Sequence, residues 1–185
     1  MMYKAFFKNL AEKENGKFFY KDENIAFLDG VRSPNVIFRV EFDYEDNHFT
    51  IINRTGTAYV ATITCVLSNT IQPIEFEINN ITHFQNLFLR RKSRLKIKSD
   101  NHNIEHFLTQ NKSFKTLEEI ADRDKFSPII TCERENKWKI ITKFHLEFDV
   151  WTEPIEPILT LYKDLIAEFQ KWIANISAKS YRDMN

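Results

Sequence analysis

The chain has 185 residues, 43% hydrophobic and 28% charged, a globular composition that excludes a disordered polymer. Lys plus Arg total 26 and Asp plus Glu total 26, so no net charge draws the molecule to nucleic acid or anionic lipid. Only 3 glycines stand against 17 phenylalanines, and no G-x-G-x-x-G, Walker loop, G-x-S-x-G elbow or C-x-x-C occurs, which argues against nucleotide enzymes.

Tyr3, Phe6, Phe7 and Leu10 recur at helical spacing over residues 2–13, and Asn15-Gly16 supplies a C-terminal stop. The opening MMYKAFFKNLAEKENG is too interrupted by charge for a signal peptide. No stretch reaches the ~18 apolar residues of a membrane helix, and a cytoplasmic protein is expected. Residues 17–20 and 24–28 are expected as a hairpin across Lys21-Asp22-Glu23, with turns at Asp29-Gly30 and Ser33-Pro34-Asn35. Val36, Phe38, Val40, Phe42 and Tyr44 then alternate with Arg39, Glu41, Asp43 and Glu45, the pattern of a half-buried antiparallel strand. Asp46-Asn47 and Asn53-Arg54-Thr55-Gly56 read as turns around a strand at 48–52. Residues 57–67, rich in β-branched side chains, read as a central strand. Another strand begins after Pro73, at 74–78.

The second half mixes elements. Residues 81–89 suit a short helix carrying Phe84, Leu87 and Phe88, and 94–98 alternates as a strand. Asp100 or Asn101 can cap a helix over 102–110, and Ser113 a second one with Leu117, Ile120 and Ala121 inward. Strands follow after Pro128 and over 138–151. Thr152 is expected to cap a long C-terminal helix with Ile155, Ile158, Leu159, Tyr162, Ile166, Phe169, Ile173 and Ile176 in its apolar stripe. The fold class is therefore α+β: an antiparallel meander of strands packed against a long C-terminal helix and shorter helices. One domain over 1–185 is expected, with 70–80 the place for any sub-boundary. Cys65 and Cys132 lie far apart in no metal-ligand spacing and read as free thiols, able to bridge only if their strands are neighbours.

Three stretches carry candidate chemistry. HNIEH (102–106) resembles the H-x-x-E-H motif of the inverzincin metalloproteases over these five residues. The resemblance implies His102 and His106 as zinc ligands and Glu105 as the base, with a downstream glutamate as third ligand. None of Glu147, Glu153, Glu156 and Glu168 is marked for that role. On a helical wheel both histidines lie about 160° or more from Ile104, away from Phe107 and Leu108, so the favoured reading is a pair of surface histidines with no metal and no cofactor.

LRRKSRLKIK (89–98) holds Arg90, Arg91, Lys92, Arg94, Lys96 and Lys98 without an acid. In its strand portion Arg94, Lys96 and Lys98 are expected as a basic row, either binding phosphate or an acidic protein face, or paired across the sheet with acidic rows such as Glu75 and Glu77. His145, Glu147 and Asp149 share one expected strand face. Trp138 and Trp151, placed outward, are read as a sticky surface.

The function expected from these residues is non-enzymatic: a protein-interaction or regulatory domain, immunity-like, whose partner is another protein. The alternatives are a metal-dependent hydrolase using 102–106 and a phosphate or anionic-surface binder using 90–98.

Overall fold

The structure is a computed structural model that describes residues 2–26, 32–56, 58–80 and 94–182, with side chains described for 3–24, 33–56, 58–80 and 94–174. The expected helix at 81–89, the Asp29-Gly30 turn, and Arg90, Arg91 and Lys92 lie outside the described residues.

The elements are α1 (Met2–Lys13), β1 (Lys17–Ala26), β2 (Arg32–Tyr44), β3 (Asn47–Gly56), β4 (Val60–Val66), β5 (Phe76–Asn80), β6 (Leu95–Lys98), α2 (His102–Gln110), α3 (Lys112–Arg123), β7 (Ile129–Arg134), β8 (Trp138–His145) and α4 (Ile155–Arg182). The eight strands form one sheet in the order β1-β2-β3-β4-β8-β7-β5-β6, antiparallel throughout. The α+β architecture with a long C-terminal helix is thus as the sequence indicates. The first four strands are a meander. The second half then reaches back, so that β8 lies beside β4 in the middle of the sheet.

Several local expectations are corrected. Lys21-Asp22-Glu23 is no turn: β1 runs through it and pairs with β2 from Lys17↔Glu41 to Ala26↔Arg32. The three residues lack the Gly, Asn or Pro that would bend the chain, and β2 offers an uninterrupted partner. Ser33-Pro34-Asn35 is likewise extended. Pairing of β2 with β3 starts at Asn35↔Gly56, one residue beyond Pro34, so the missing proline N–H deprives β3 of no bond. Asn53-Arg54-Thr55 stays in β3: all three pair with β2, and Asn53 and Arg54 pair with β4 as well. The true turn is Glu45-Asp46, with φ of 47° and 60°. Both values suit the twist of a two-residue hairpin. Asn47 secures it, donating from Nδ2 to the Tyr44 carbonyl at 3.0 Å and accepting the Ser68 N–H at Oδ1 at 2.9 Å.

Helix caps differ in one case. Asn101 caps α2, accepting the Asn103 N–H at 2.9 Å. Asn111, not Ser113, caps α3, accepting the Phe114 N–H at 3.0 Å. The last strand stops at His145 rather than 151, and α4 begins at Ile155. Thr152 contributes its carbonyl, which accepts the Ile155 N–H at 3.2 Å.

One face of the sheet is the core. Phe42, Phe49, Cys65, Ile140, Cys132 and Phe76 form a single inward row by register, and all are buried. Phe7 of α1 stacks on Phe38 of β2 with ring centroids 5.0 Å apart. Tyr162 of α4 reaches the middle of the sheet, where its hydroxyl lies 2.7 Å from Thr142 Oγ1 and donates to the Ile63 carbonyl at 3.3 Å. Phe126, after α3, packs edge-on against Phe144 of β8 at 5.2 Å. Each of these contacts falls on the same side of the sheet, so α1, α4 and the chain leaving α3 cover one face. Cys65 and Cys132 are free and buried. Strand β8 stands between theirs, and burial pushes both thiols well above their ordinary pKa.

Candidate functional site

The opposite face of the sheet follows from the same registers, read at alternate residues. One row runs Lys17–Glu41–Thr50–Thr64–Ile141–Thr131–Glu77–Lys98. The next runs Phe19–Arg39–Ile52–Thr62–Lys143–Ile129. A third, at one end of the strands, runs Lys21–Ile37–Arg54–Val60–His145. None of these side chains belongs to the buried core, and Ile129 and Phe19 are about half exposed at 53% and 47%. Among the described residues no helix packs on this face. The alternation of threonine and aliphatic residues that builds the strands is therefore also what the molecule presents to its surroundings.

Charge on this face is arranged unevenly. Toward its margins the ions are paired: Lys21 with Glu23 at 2.7 Å, Arg39 with Glu41, Lys98 with Glu77 at 3.1 Å and His48 with Asp43 at 2.7 Å. Lys139 pairs with Glu135 of the β7–β8 turn. Hydrogen bonding from Lys98 holds the Glu77 carboxyl below the usual carboxylate range, and Lys139 does the same for Glu135. Strands β3, β4 and β8 bring no carboxylate to the open face, only His48, Arg54, Lys139, Lys143 and His145 among Thr, Ile and Val.

The residues singled out in the sequence are scattered by the fold. Lys96 and Lys98 lie on the open face of edge strand β6, opposite Asn79 and Glu77. Arg94 does not join them. It precedes the strand and turns to the helical side, donating to the Ala121 carbonyl at the end of α3 at 2.9 Å. The basic row is thus cut to two members, one of them paired.

Trp138 and Trp151 are not an outward pair. Trp138 shares the inward parity of Ile140 and is partly buried against the core. Trp151 is buried, its ring tilted against Tyr3 of α1 with centroids 4.4 Å apart, because the strand ends at His145 and the chain folds back under α1. For the same reason His145 is separated from Glu147 and Asp149. Those two line a shallow polar recess of about 410 Å³ beside Arg94 and Arg123.

The histidine helix is oriented as its wheel indicates. Ile104 and Leu108 of α2 are buried. The His102 side chain is 99% exposed and lies 3.5 Å from Glu105, while His106 lines a groove of about 370 Å³ with Glu168 and Trp172 of α4. No group of three or more His, Cys, Asp or Glu among the described residues is placed to hold a metal ion. A separate apolar crevice of about 390 Å³ lies on the helical side between Tyr3, Phe38, Tyr59 and Trp151. No helix among the described residues is long and apolar enough to cross a membrane.

Comparison with protein-family models, with curated proteins and with solved structures finds no match to this chain. The reading of function therefore stands on the geometry. Sequence reasoning placed His145 on an outward strand face but put Arg54 in a turn, and it missed the open-face cluster of Arg54, Lys143 and His145. Strand parity places Lys143 and His145 outward, but only the β3–β4 and β4–β8 pairings together bring Arg54 beside them.

Proposed function

We propose that the protein is a non-catalytic interaction module, of the small regulatory or immunity kind, that binds another protein through the uncovered face of its sheet. The observation that carries this reading is the one-sided construction among the described residues: eight strands in one layer, helices on one face, and on the other partly buried Ile52 and Ile141 and half-exposed Ile129 among threonines and paired ions. Aliphatic residues ringed by polar ones are the composition of a recognition patch with a dry centre and a wet rim. An antiparallel sheet tolerates solvent on one face, so the face is free for such use without cost to the core.

The test is capture from the native host with wild-type protein and with the double variant Ile52→Asp, Ile141→Asp as baits, matched by circular dichroism and thermal midpoint. A stoichiometric partner held by the wild type and lost by the variant is expected. Equal retention by both baits refutes the assignment of this face.

A further inference from the structure

We infer that the partner presents an acidic polypeptide surface, and that Arg54, Lys143 and His145 receive its carboxylates. This deepens the reading above and rests on it for the identity of the docking face.

The register fixes the arrangement. Val60 of β4 is opposite Arg54 on one side and His145 on the other, and the next outward residue of β4, Thr62, is opposite Lys143. Neighbouring strands lie ~4.8 Å apart and alternate residues ~6.6 Å apart along a strand, so the three groups stand on a triangle with sides of roughly 7, 10 and 12 Å around Val60 and Thr62. All three are exposed. None takes part in an ion pair among the described residues, whereas Lys21, Arg39, Lys98, Lys139 and His48 on the same face each have an acidic partner.

In a chain of zero formal net charge, most cations of this face are thus paired internally; the unpaired Lys17 and Lys96 stand on the edge strands beside Glu41 and Glu77, and the acid-free patch lies at the end of the three middle strands. Such a patch is complementary to carboxylates and sets orientation and encounter rate. Two outward residues of an extended acidic segment, also ~6.6 Å apart, match the spacing of Lys143 and His145.

The same patch is poorly suited to nucleic acid. Single-strand binding on a sheet uses exposed rings as stacking platforms. The open face of β3, β4 and β8 has no Phe, Tyr or Trp, and Phe19 sits on edge strand β1 with the Arg39 guanidinium 5.7 Å from its ring centre. A neutral chain also lacks the broad positive field that phosphate polymers demand.

The experiment is an amide-resolved NMR titration of the full chain with poly-L-glutamate at low salt, with oligothymidylate in parallel. Expected are shifts centred on Arg54, Val60, Thr62, Lys143 and His145, and apparent affinity weakened at least about tenfold by Arg54→Gln with Lys143→Gln. The control Arg123→Gln, a cation on the helical side, should bind as wild type. Shifts centred on Lys96 and Lys98, or affinity indifferent to the double variant, overturn the inference, as does tighter binding of oligothymidylate than of poly-L-glutamate.

The same double variant used as bait separates the two claims. A native partner lost with Ile52→Asp, Ile141→Asp but held normally by Arg54→Gln, Lys143→Gln leaves the docking face intact and removes the acidic partner.

Discussion

Tyr162 shows how one residue can be legible in kind and not in role. Its place in the apolar stripe of α4 is plain from spacing, but the destination of its hydroxyl is a tertiary fact: Thr142 and the Ile63 carbonyl, across the buried face of two strands. Removing a hydroxyl whose partners then stay buried typically costs ~1–3 kcal/mol. Tyr162→Phe should therefore lower the urea midpoint by that equivalent without changing the circular dichroism spectrum. Thr142→Val should cost less in the Tyr162→Phe background than in the wild type, because the two share one bond. Strictly additive losses in that double-mutant cycle would contradict the pairing. Asn53 is the counter-example. Its Asn-Arg-Thr-Gly context favours a turn, yet the sheet keeps it extended and fully buried, with no hydrogen-bond partner for its carboxamide among the described residues. Local preference there is overruled by the pairing of β3 on both sides.

Elements were legible where periodicity was strong and both faces differed, as in β2 from Val36 onward and in α4. They were misread where the signal was local chemistry alone. Ser113 is a good capping residue by type, but Asn111, two residues earlier, ends α2 and starts α3 at once. Its N–H reaches the Phe107 carbonyl at 2.9 Å, its Oδ1 accepts from Phe114, and its Nδ2 donates to Asp164 of α4 at 2.8 Å. Loss of an N-cap costs ~1 kcal/mol, and a hydrogen bond to a charged group ~1.5–3 kcal/mol. Asn111→Ala should thus destabilise the fold by about 2–4 kcal/mol in chemical denaturation, with faster amide exchange in the first turn of α3. Ser113→Ala should be close to neutral, and the reverse ranking would show that the cap is misassigned. The overlong reading of β8 has a similar origin. Alternation continues from His145 to Val150, but the backbone leaves the sheet, and Trp151 is thereby carried under α1.

At the scale of the molecule, strand parity could be read from the sequence, but strand order could not. Whether an outward face is covered depends on where helices land, and that is decided by packing rather than by the strand's own pattern. The meander β1–β4 follows from short connections. The adjacency of β4 and β8, which builds the middle of the sheet and gathers Arg54, Lys143 and His145, joins segments distant in the chain. The same order places β8 between the two cysteines and seals both in the core. With their ionisation pushed up by burial, neither thiol should react with Ellman's reagent at pH 8 in the native state, and both should become titratable together across the urea transition. Reaction of one thiol well below the midpoint would mean that the two lie in separately opening regions. Strand order also has a consequence for biosynthesis. When β4 leaves the ribosome, its free edge has no neighbour until β8 has been translated, and β5, β6, α2, α3 and β7 emerge in the interval. The nascent half-sheet must keep a bare row of backbone donors and acceptors from annealing to another chain, so the speed of elongation through 67–145 sets how long that hazard lasts.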